Sequence, residues 1–417
     1  MRELKYMYDV IVVGARCAGS PVAMLLARRG HRVLLVDRST FPSDTPSTHY
    51  IHQAGLARLQ DWGLLDRVVG TGVPAIRHLN FTYTGIEIAG FADPIEGVDA
   101  VYCPRRTVLD SLLVDAAREA GVDVIEDFTM ADVVFAEGRA IGIRGRQRGG
   151  PELEFRSAFV VGADGAGSTV ADKVGADFYV RRPAGCFIYY SYFSGLSHWG
   201  MHHRTGFGEQ QIGTWPTNGG VNLLAVMRKR DRFADFRADV DGSFQEIFDQ
   251  IDPALGEELR DSGVREEPFR PMRYPDNFYR RSHGPGWALV GDAGYHKDPF
   301  TGWGITDAFK YGELLAERLH EGLSGARPVD DAVAEYAKER DEASAGTFEL
   351  TCSISELQLT PFYDAVFSAA SHSEEYTKKF FGLIAGGIPG EQFFGRDSLE
   401  RLYDEVDVPA DRRVFAG

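Results

Sequence analysis

Residues 8–38 read YDVIVVGARCAGSPVAMLLARRGHRVLLVDR, and the fold follows from this stretch. YDVIVVG is a short apolar run closed by glycine, the pattern of a buried strand. PVAMLLARRG has helical apolar spacing with Gly30 as its stop, and RVLLVDR is a second buried strand. One strand–turn–helix–strand unit predicts a parallel sheet covered by helices. The turn Gly14, Ala15, Arg16, Cys17, Ala18, Gly19 has the outline of G-x-G-x-x-G. Arg16 stands where a middle glycine normally lets a pyrophosphate approach. Asp37 ends the second strand, at the place where an acid accepts from ribose hydroxyls. Gly14, Gly19 and Asp37 therefore predict a diphosphate-and-ribose site at a helix N-terminus. Arg16 has two readings: a guanidinium paired with diphosphate charge, or a side chain bent out to solvent.

The whole chain agrees with a globular enzyme. Its 417 residues are 44% hydrophobic and 25% charged, with a net charge of −16. That charge makes nucleic acid and anionic membranes poor partners. No apolar stretch approaches the ~20 residues of a membrane span, and no signal peptide is visible, so a cytoplasmic protein without membrane insertion is expected. Four cysteines, Cys17, Cys103, Cys186 and Cys352, lie far apart and read as ordinary thiols.

Two more turns resemble the first in kind. AFVVGADGAGS is a strand entering a glycine-rich turn. GWALVGDAG repeats that chemistry ahead of GITDAFKYGELLAERL, a long amphipathic helix. RTVLDSLLVDAAREAG is another helix, ended by Gly121. Between the second and third turns, GCFIYYSYF and GVNLLAVMR read as antiparallel strands. Residues 242–264 look helical, and the C-terminal portion is mostly helical. In SHWGMHHRTG, His198, His202 and His203 lie close together, but Gly200 and Gly206 argue for a loop, and no metal site is expected.

These motifs, in this order, resemble the FAD-dependent monooxygenases of the p-hydroxybenzoate hydroxylase class. Geranylgeranyl reductases and flavin-dependent halogenases are their relatives. The resemblance covers roughly residues 8–325 and implies an α/β fold. A Rossmann-like FAD-binding domain (1–75, 100–178 and 275–345) would carry an inserted β-sheet substrate domain (76–99 and 179–274) and a helical C-terminal region (346–417). It implies that Asp37, with Arg38 beside it, holds the adenosine ribose, and that Arg106, four residues before Asp110, contacts FAD. Asp164 and Gly165 would support FAD and a passing nicotinamide cofactor, and Asp292 would bind the ribityl chain. The turn after Pro299, with Gly302 and Gly304, would bring amides to the pyrimidine side of the flavin. The implied reaction is reduction of FAD by NADPH or NADH. Dioxygen is then activated as a C4a-(hydro)peroxide, and an aromatic or polyketide-like organic substrate is oxygenated.

Departures from the family pattern sharpen the candidates. Tyr295 takes the usual histidine place, with His296 following, and Trp303 replaces the glutamine between the turn glycines. Trp303 is either an apolar wall beside the flavin or a packing residue beneath the turn. Ser47, Thr48 and His49 stand where the reductases have Cys-Gly-Gly, which weighs against saturation of prenyl-type double bonds. His49 and His52 are acid–base candidates, or else hold loop carbonyls or an FAD phosphate. Tyr190 and Tyr192 share one strand face opposite Tyr189 and Phe193, and with Trp215, Phe300 and Trp303 they are candidate substrate walls. Arg182, Arg204 and Arg228 are candidate anchors for a substrate carboxylate. A non-redox FAD-binding cyclase is a second alternative, and a separate flavin reductase is an alternative source of electrons. The C-terminal tail is read as a pocket closure or a homodimer contact.

Overall fold

The computed structural model describes residues 7–83, 85–197, 200–206 and 209–415. Its first sheet is built on strands Asp123–Ile125, Val33–Val36, Tyr8–Val13, Leu153–Gly162 and Trp287–Leu289, side by side and all parallel. The first strand is fully apolar from Val10 to Val13 because both faces of the sheet are covered, one by helices and the other by the strands Phe128–Ala136 and Arg139–Gln147 with the short helix Thr169–Lys173. The helices Gly19–Arg28, Arg106–Glu119 and Gly304–Leu323 stack on it through Val22, Leu26, Leu109, Leu113, Phe309 and Leu315.

Register places the three glycine turns together. Val13 lies beside Gly162, and Gly162 beside Leu289, so the neighbouring parallel strands end level. The turns that begin at Gly14, Asp164 and Gly291 therefore open on one edge of the sheet. Ligands of open α/β sheets sit there, outside the carboxyl ends of the strands.

A second sheet runs in the order Val264–Arg265, Cys186–Ser194, Asn222–Lys229, Gln210–Pro216, Met201–Gly206, Leu79–Tyr83, Ile86–Gly90. Its alternation sorts the tyrosines. Tyr190, Tyr192 and Trp215 belong to the core shared with the first sheet. Tyr189 and Phe193 pack on the other side against Phe236, Phe244 and Phe248 of the helices behind. The loop expected at MHHRTG is instead the strand Met201–Gly206, parallel to Leu79–Tyr83 and antiparallel to Gln210–Pro216. Gly200, at φ +103°, turns the chain into that strand rather than breaking it. His202 and His203 are consecutive strand residues and point to opposite faces. His198 lies outside the described residues.

After the long helix Val329–Ile354, the C-terminal helices fold back over this sheet. Phe380, on the helix Glu374–Ala385, packs on Phe81 at 5.4 Å and on Phe367 at 5.2 Å. Among the described residues no helix is long and apolar enough to cross a membrane.

Candidate functional site

The common edge of the three turns is a cleft of about 810 Å³. Gly14, Arg16, Asp37, Arg38, Arg106, Asp164, Gly165, Asp292, Pro299, Gly302 and Gly304 all line it. Gly19 stands behind the turn. A Cβ there would sit 1.8 Å from the Gly14 carbonyl oxygen, so glycine is what lets the helix start so close. Gly14 is required twice over. Its φ is +106°, and a Cβ would lie 2.3 Å from the carbonyl oxygen of Ala163.

Asp37 organises the first turn. The Ala15 N–H donates to one carboxylate oxygen at 2.7 Å and the Ser39 N–H to the other at 2.7 Å. Arg16 follows neither of its two readings simply. Its guanidinium pairs with Asp110 and donates to the Ser43 hydroxyl at 2.9 Å, so it is pinned along the cleft wall. Asp110 is fully buried and also takes two hydrogen bonds from Arg106, both at 3.0 Å. Asp164 caps the helix Thr169–Lys173, accepting from the Ser168 hydroxyl at 2.5 Å and the Val170 N–H at 3.1 Å. Burial raises its pKa above the usual carboxylate range, against those bonds. The Asp292 side chain is 47% exposed in the cleft, with His296 Nδ1 3.3 Å away. Burial pushes its pKa up, but His296, Lys297 and Arg106 outweigh that and hold it low.

His296, not Tyr295, faces the cleft. Tyr295 stacks on Tyr279 at 4.7 Å in the core. Lys297 pairs with Asp307 and donates to the Tyr295 hydroxyl at 2.7 Å.

Next to the cleft lies a smaller apolar pocket of about 50 Å³. Tyr50 lines both cavities, and the turn Pro299–Thr301 stands between them, with Pro299 on the cleft side and Phe300 and Thr301 on the pocket side. Leu79, Phe81 and Met201 come from the second sheet, Phe380, Phe381 and Ile384 from the C-terminal helix. His52 and His203 are its histidines.

The other sequence candidates fall around these cavities. His52 Nε2 donates to the Thr301 carbonyl at 2.9 Å, and its ring packs on Trp303 at 4.9 Å between centroids. Burial pushes its pKa down to about 3. Trp303 lies beneath the turn, against His52 and Gly386. His49 is fully buried, at φ +63°, with Nε2 2.5 Å from the Tyr192 hydroxyl. Burial holds its pKa well below the ordinary value. Tyr190 accepts from the Ser47 N–H at 3.4 Å, and Arg105 lies 3.7 Å above the Tyr192 ring. These tyrosines therefore brace the 47–49 loop. Trp215 sits one layer behind the pocket, edge-on to His203 at 5.2 Å. As carboxylate anchors, Arg182 and Arg204 are corrected by their partners. Arg182 makes two 2.7 Å bonds to Glu349, and Arg204 pairs with Asp252.

Sequence reasoning missed Tyr50, His203 and the phenylalanines of the Glu374–Ala385 helix. The apolar spacing of FFGLIA signalled a helix, but nothing local signalled which cavity it covers.

Comparison with known proteins agrees with the geometry. The FAD binding domain family profile matches residues 7–351. A digeranylgeranylglycerophospholipid reductase of Methanocella arvoryzae is 25% identical over 390 residues, covering 89% of this chain and 92% of the relative. The flavin-dependent brominase Bmp2 superposes with a TM-score of 0.80 at 20% identity, covering 96% of this chain and 99% of that one. PqsL, a probable FAD-dependent monooxygenase from Pseudomonas aeruginosa, superposes with a TM-score of 0.73 at 21% identity, covering 84% and 95%. At these identities the solved structures establish the shared fold.

Proposed function

The chain belongs to the FAD-binding-domain family of flavoprotein oxidoreductases, and from that premise we propose a monooxygenase reduced by NADPH or NADH. Its substrate is a largely apolar, aromatic or polyketide-like molecule. The observation that carries this reading is the shared wall. Tyr50 and the turn that starts at Pro299 separate a nucleotide-sized cleft from an apolar pocket, so a flavin ring at the cleft end meets a substrate in the pocket.

The residues present fit FAD. Gly14 lets the first turn pack against Ala163 at the cleft, and the start of the Gly19–Arg28 helix would offer amides and positive dipole to a diphosphate. Asp37 has lone pairs left for a ribose after its two amide bonds. Arg16 and Arg106, both tied to Asp110, present a fixed positive wall along the diphosphate. Asp292, ionised and exposed in the cleft, receives the ribityl hydroxyls. The Gly302–Gly304 backbone, which lines the cleft, would offer amides to the flavin ring, and Lys297, paired with Asp307, lines the cleft as well. Bound FAD supplies hydride uptake from the nicotinamide and the reduction of dioxygen. The chain supplies position and dryness. His52 is neutral and locks the turn through the Thr301 carbonyl, while the Glu374–Ala385 helix keeps water from the pocket.

Isotope incorporation tests the reading. The FAD-loaded enzyme, given NADPH or NADH and labelled dioxygen, is expected to place one labelled oxygen atom in a substrate from an aromatic and polyketide panel. Anaerobic saturation of a prenyl double bond, with no oxygen uptake across the panel, would replace it with the reductase reading.

A further inference from the structure

Two residues that line the apolar pocket each carry a buried ring nitrogen without a partner among the described residues, His52 Nδ1 and His203 Nε2. His52 is 1% exposed and His203 9%. Two further polar lining groups have partners. Asn80 holds Glu87 and Thr82, and Thr301 holds Thr351.

Hydrogen-bond partners fix the ring tautomers. His52 Nε2 lies 2.9 Å from the Thr301 carbonyl, which only accepts. That nitrogen therefore carries the proton, and Nδ1 is left as an acceptor. His203 Nδ1 lies 2.9 Å from the Gln211 amide nitrogen, which only donates. The Gln211 amide is oriented in turn by the Thr205 hydroxyl, 2.9 Å from its oxygen. His203 Nε2 therefore carries a proton and is a donor. Burial keeps both rings neutral, and Lys297 and Lys310 further oppose a charge on His52. An unpaired acceptor and an unpaired donor in an apolar wall are costly unless a ligand completes them.

We propose that His52 and His203 are the specificity-determining residues of this pocket. They select a flat, uncharged substrate bearing a hydroxyl that donates to His52 Nδ1 and accepts from His203 Nε2–H. This rests on the pocket being the substrate site of the proposed monooxygenase. A carboxylate would meet the His52 lone pair and find no cation. An ether oxygen would accept from His203 but leave His52 unsatisfied. The enclosed space of about 50 Å³ is well below the ~150 Å³ of a cavity that admits benzene. Entry of a ring therefore requires lining side chains to move.

Binding, measured without nicotinamide, tests the selection independently of any oxygen chemistry. The FAD-loaded protein is titrated at pH 7.5 with phenol, anisole and benzoate, following the flavin absorbance and the heat released. Phenol is expected to bind about tenfold more tightly than anisole, with benzoate weakest. His203→Phe is expected to erase the preference for phenol, and His203→Gln, which keeps an N–H, to retain part of it. Anisole binding as tightly as phenol, benzoate binding most tightly, or no detectable phenol binding overturns the proposal. So does unchanged selectivity in His203→Phe. If His203→Phe fails to hold FAD, the wild-type panel alone decides.

Discussion

Arg16 shows how one residue can contradict a motif and still serve it. Its side chain leaves the turn sideways, because Asp110 and the Ser43 hydroxyl hold it along the cleft. Gly14 and Gly19 keep the turn itself, because each lies too close to neighbouring backbone to carry a Cβ. Arg16→Ala leaves Asp110 with both Arg106 bonds, so the fold should survive. FAD affinity should fall about tenfold, the scale of one charged hydrogen bond, as read by quenching of free FAD fluorescence. Unchanged affinity would place Arg16 outside the cofactor contacts. The buried histidines make a prediction about pH. In the unfolded chain His52 and His203 titrate near 6.5; folded, they are pushed down to about 3 and about 4. Between those values the unfolded state binds more protons, so the stability present above pH 6.5 is lost as pH falls towards 4. From pH 7.5 to 5.5 the loss should be about 1.4 kcal/mol per histidine, or about 3 kcal/mol for the pair, and His49 shifts in the same direction. Urea midpoints at the two pH values measure it; half the loss would mean that one ring is charged in the fold, and an equal midpoint that neither is held neutral.

At the scale of elements, glycines report where two pieces of chain press together. Gly386 ends the Glu374–Ala385 helix at φ +77°, and a Cβ there would lie 2.3 Å from Trp303 Cη2. Trp303 carries the turn between the two cavities, so this contact joins the C-terminal helices to the floor of the cleft. Gly386→Ala should cost about 2–4 kcal/mol, combining left-handed strain with overpacking. Gly30, at φ +87° with open space around its Cβ, isolates the first of these, and Gly30→Ala should cost only about 1–2 kcal/mol. Equal losses in the two variants by urea denaturation would remove the Trp303 contact from the account. The same contrast explains what the sequence could reveal. The stretch 8–38 and the turns at Asp164 and Gly291 are local patterns, and each became the strand, turn and helix expected of it. The pocket is non-local. It needs Met201–Gly206 paired with Leu79–Tyr83 and a helix from beyond residue 373, and apolar periodicity names no partner. The glycines of GMHHRTG looked like loop signals, yet Gly206 pairs with Gln210 on the next strand, while Met201–Thr205 pair with Leu79–Tyr83, more than a hundred residues away.

For the molecule as a whole, the cleft gathers residues from positions 13 to 308, so cofactor binding ties distant segments into one unit. A ligand that binds only the folded state stabilises it by RT ln(1 + [L]/Kd), about 2.7 kcal/mol at a hundredfold excess over Kd. FAD should therefore raise the melting temperature with the logarithm of its affinity, and two carboxylates separate affinity from fold. Asp292 is 47% exposed in the cleft, with His296 Nδ1 at 3.3 Å. Asp110 is fully buried beneath Arg16, Arg106 and the Cys17 thiol. Asp292→Ala should leave the melting temperature of the FAD-free protein nearly unchanged and remove most of the FAD-induced rise. Asp110→Asn should lower the FAD-free melting temperature itself, because two buried guanidinium groups lose their counter-charge. A scan of each variant with and without FAD distinguishes the two effects. If Asp292→Ala kept the full FAD shift, the carboxylate would lie outside the cofactor contacts, and the ribityl hydroxyls would have to be assigned to other residues of the cleft.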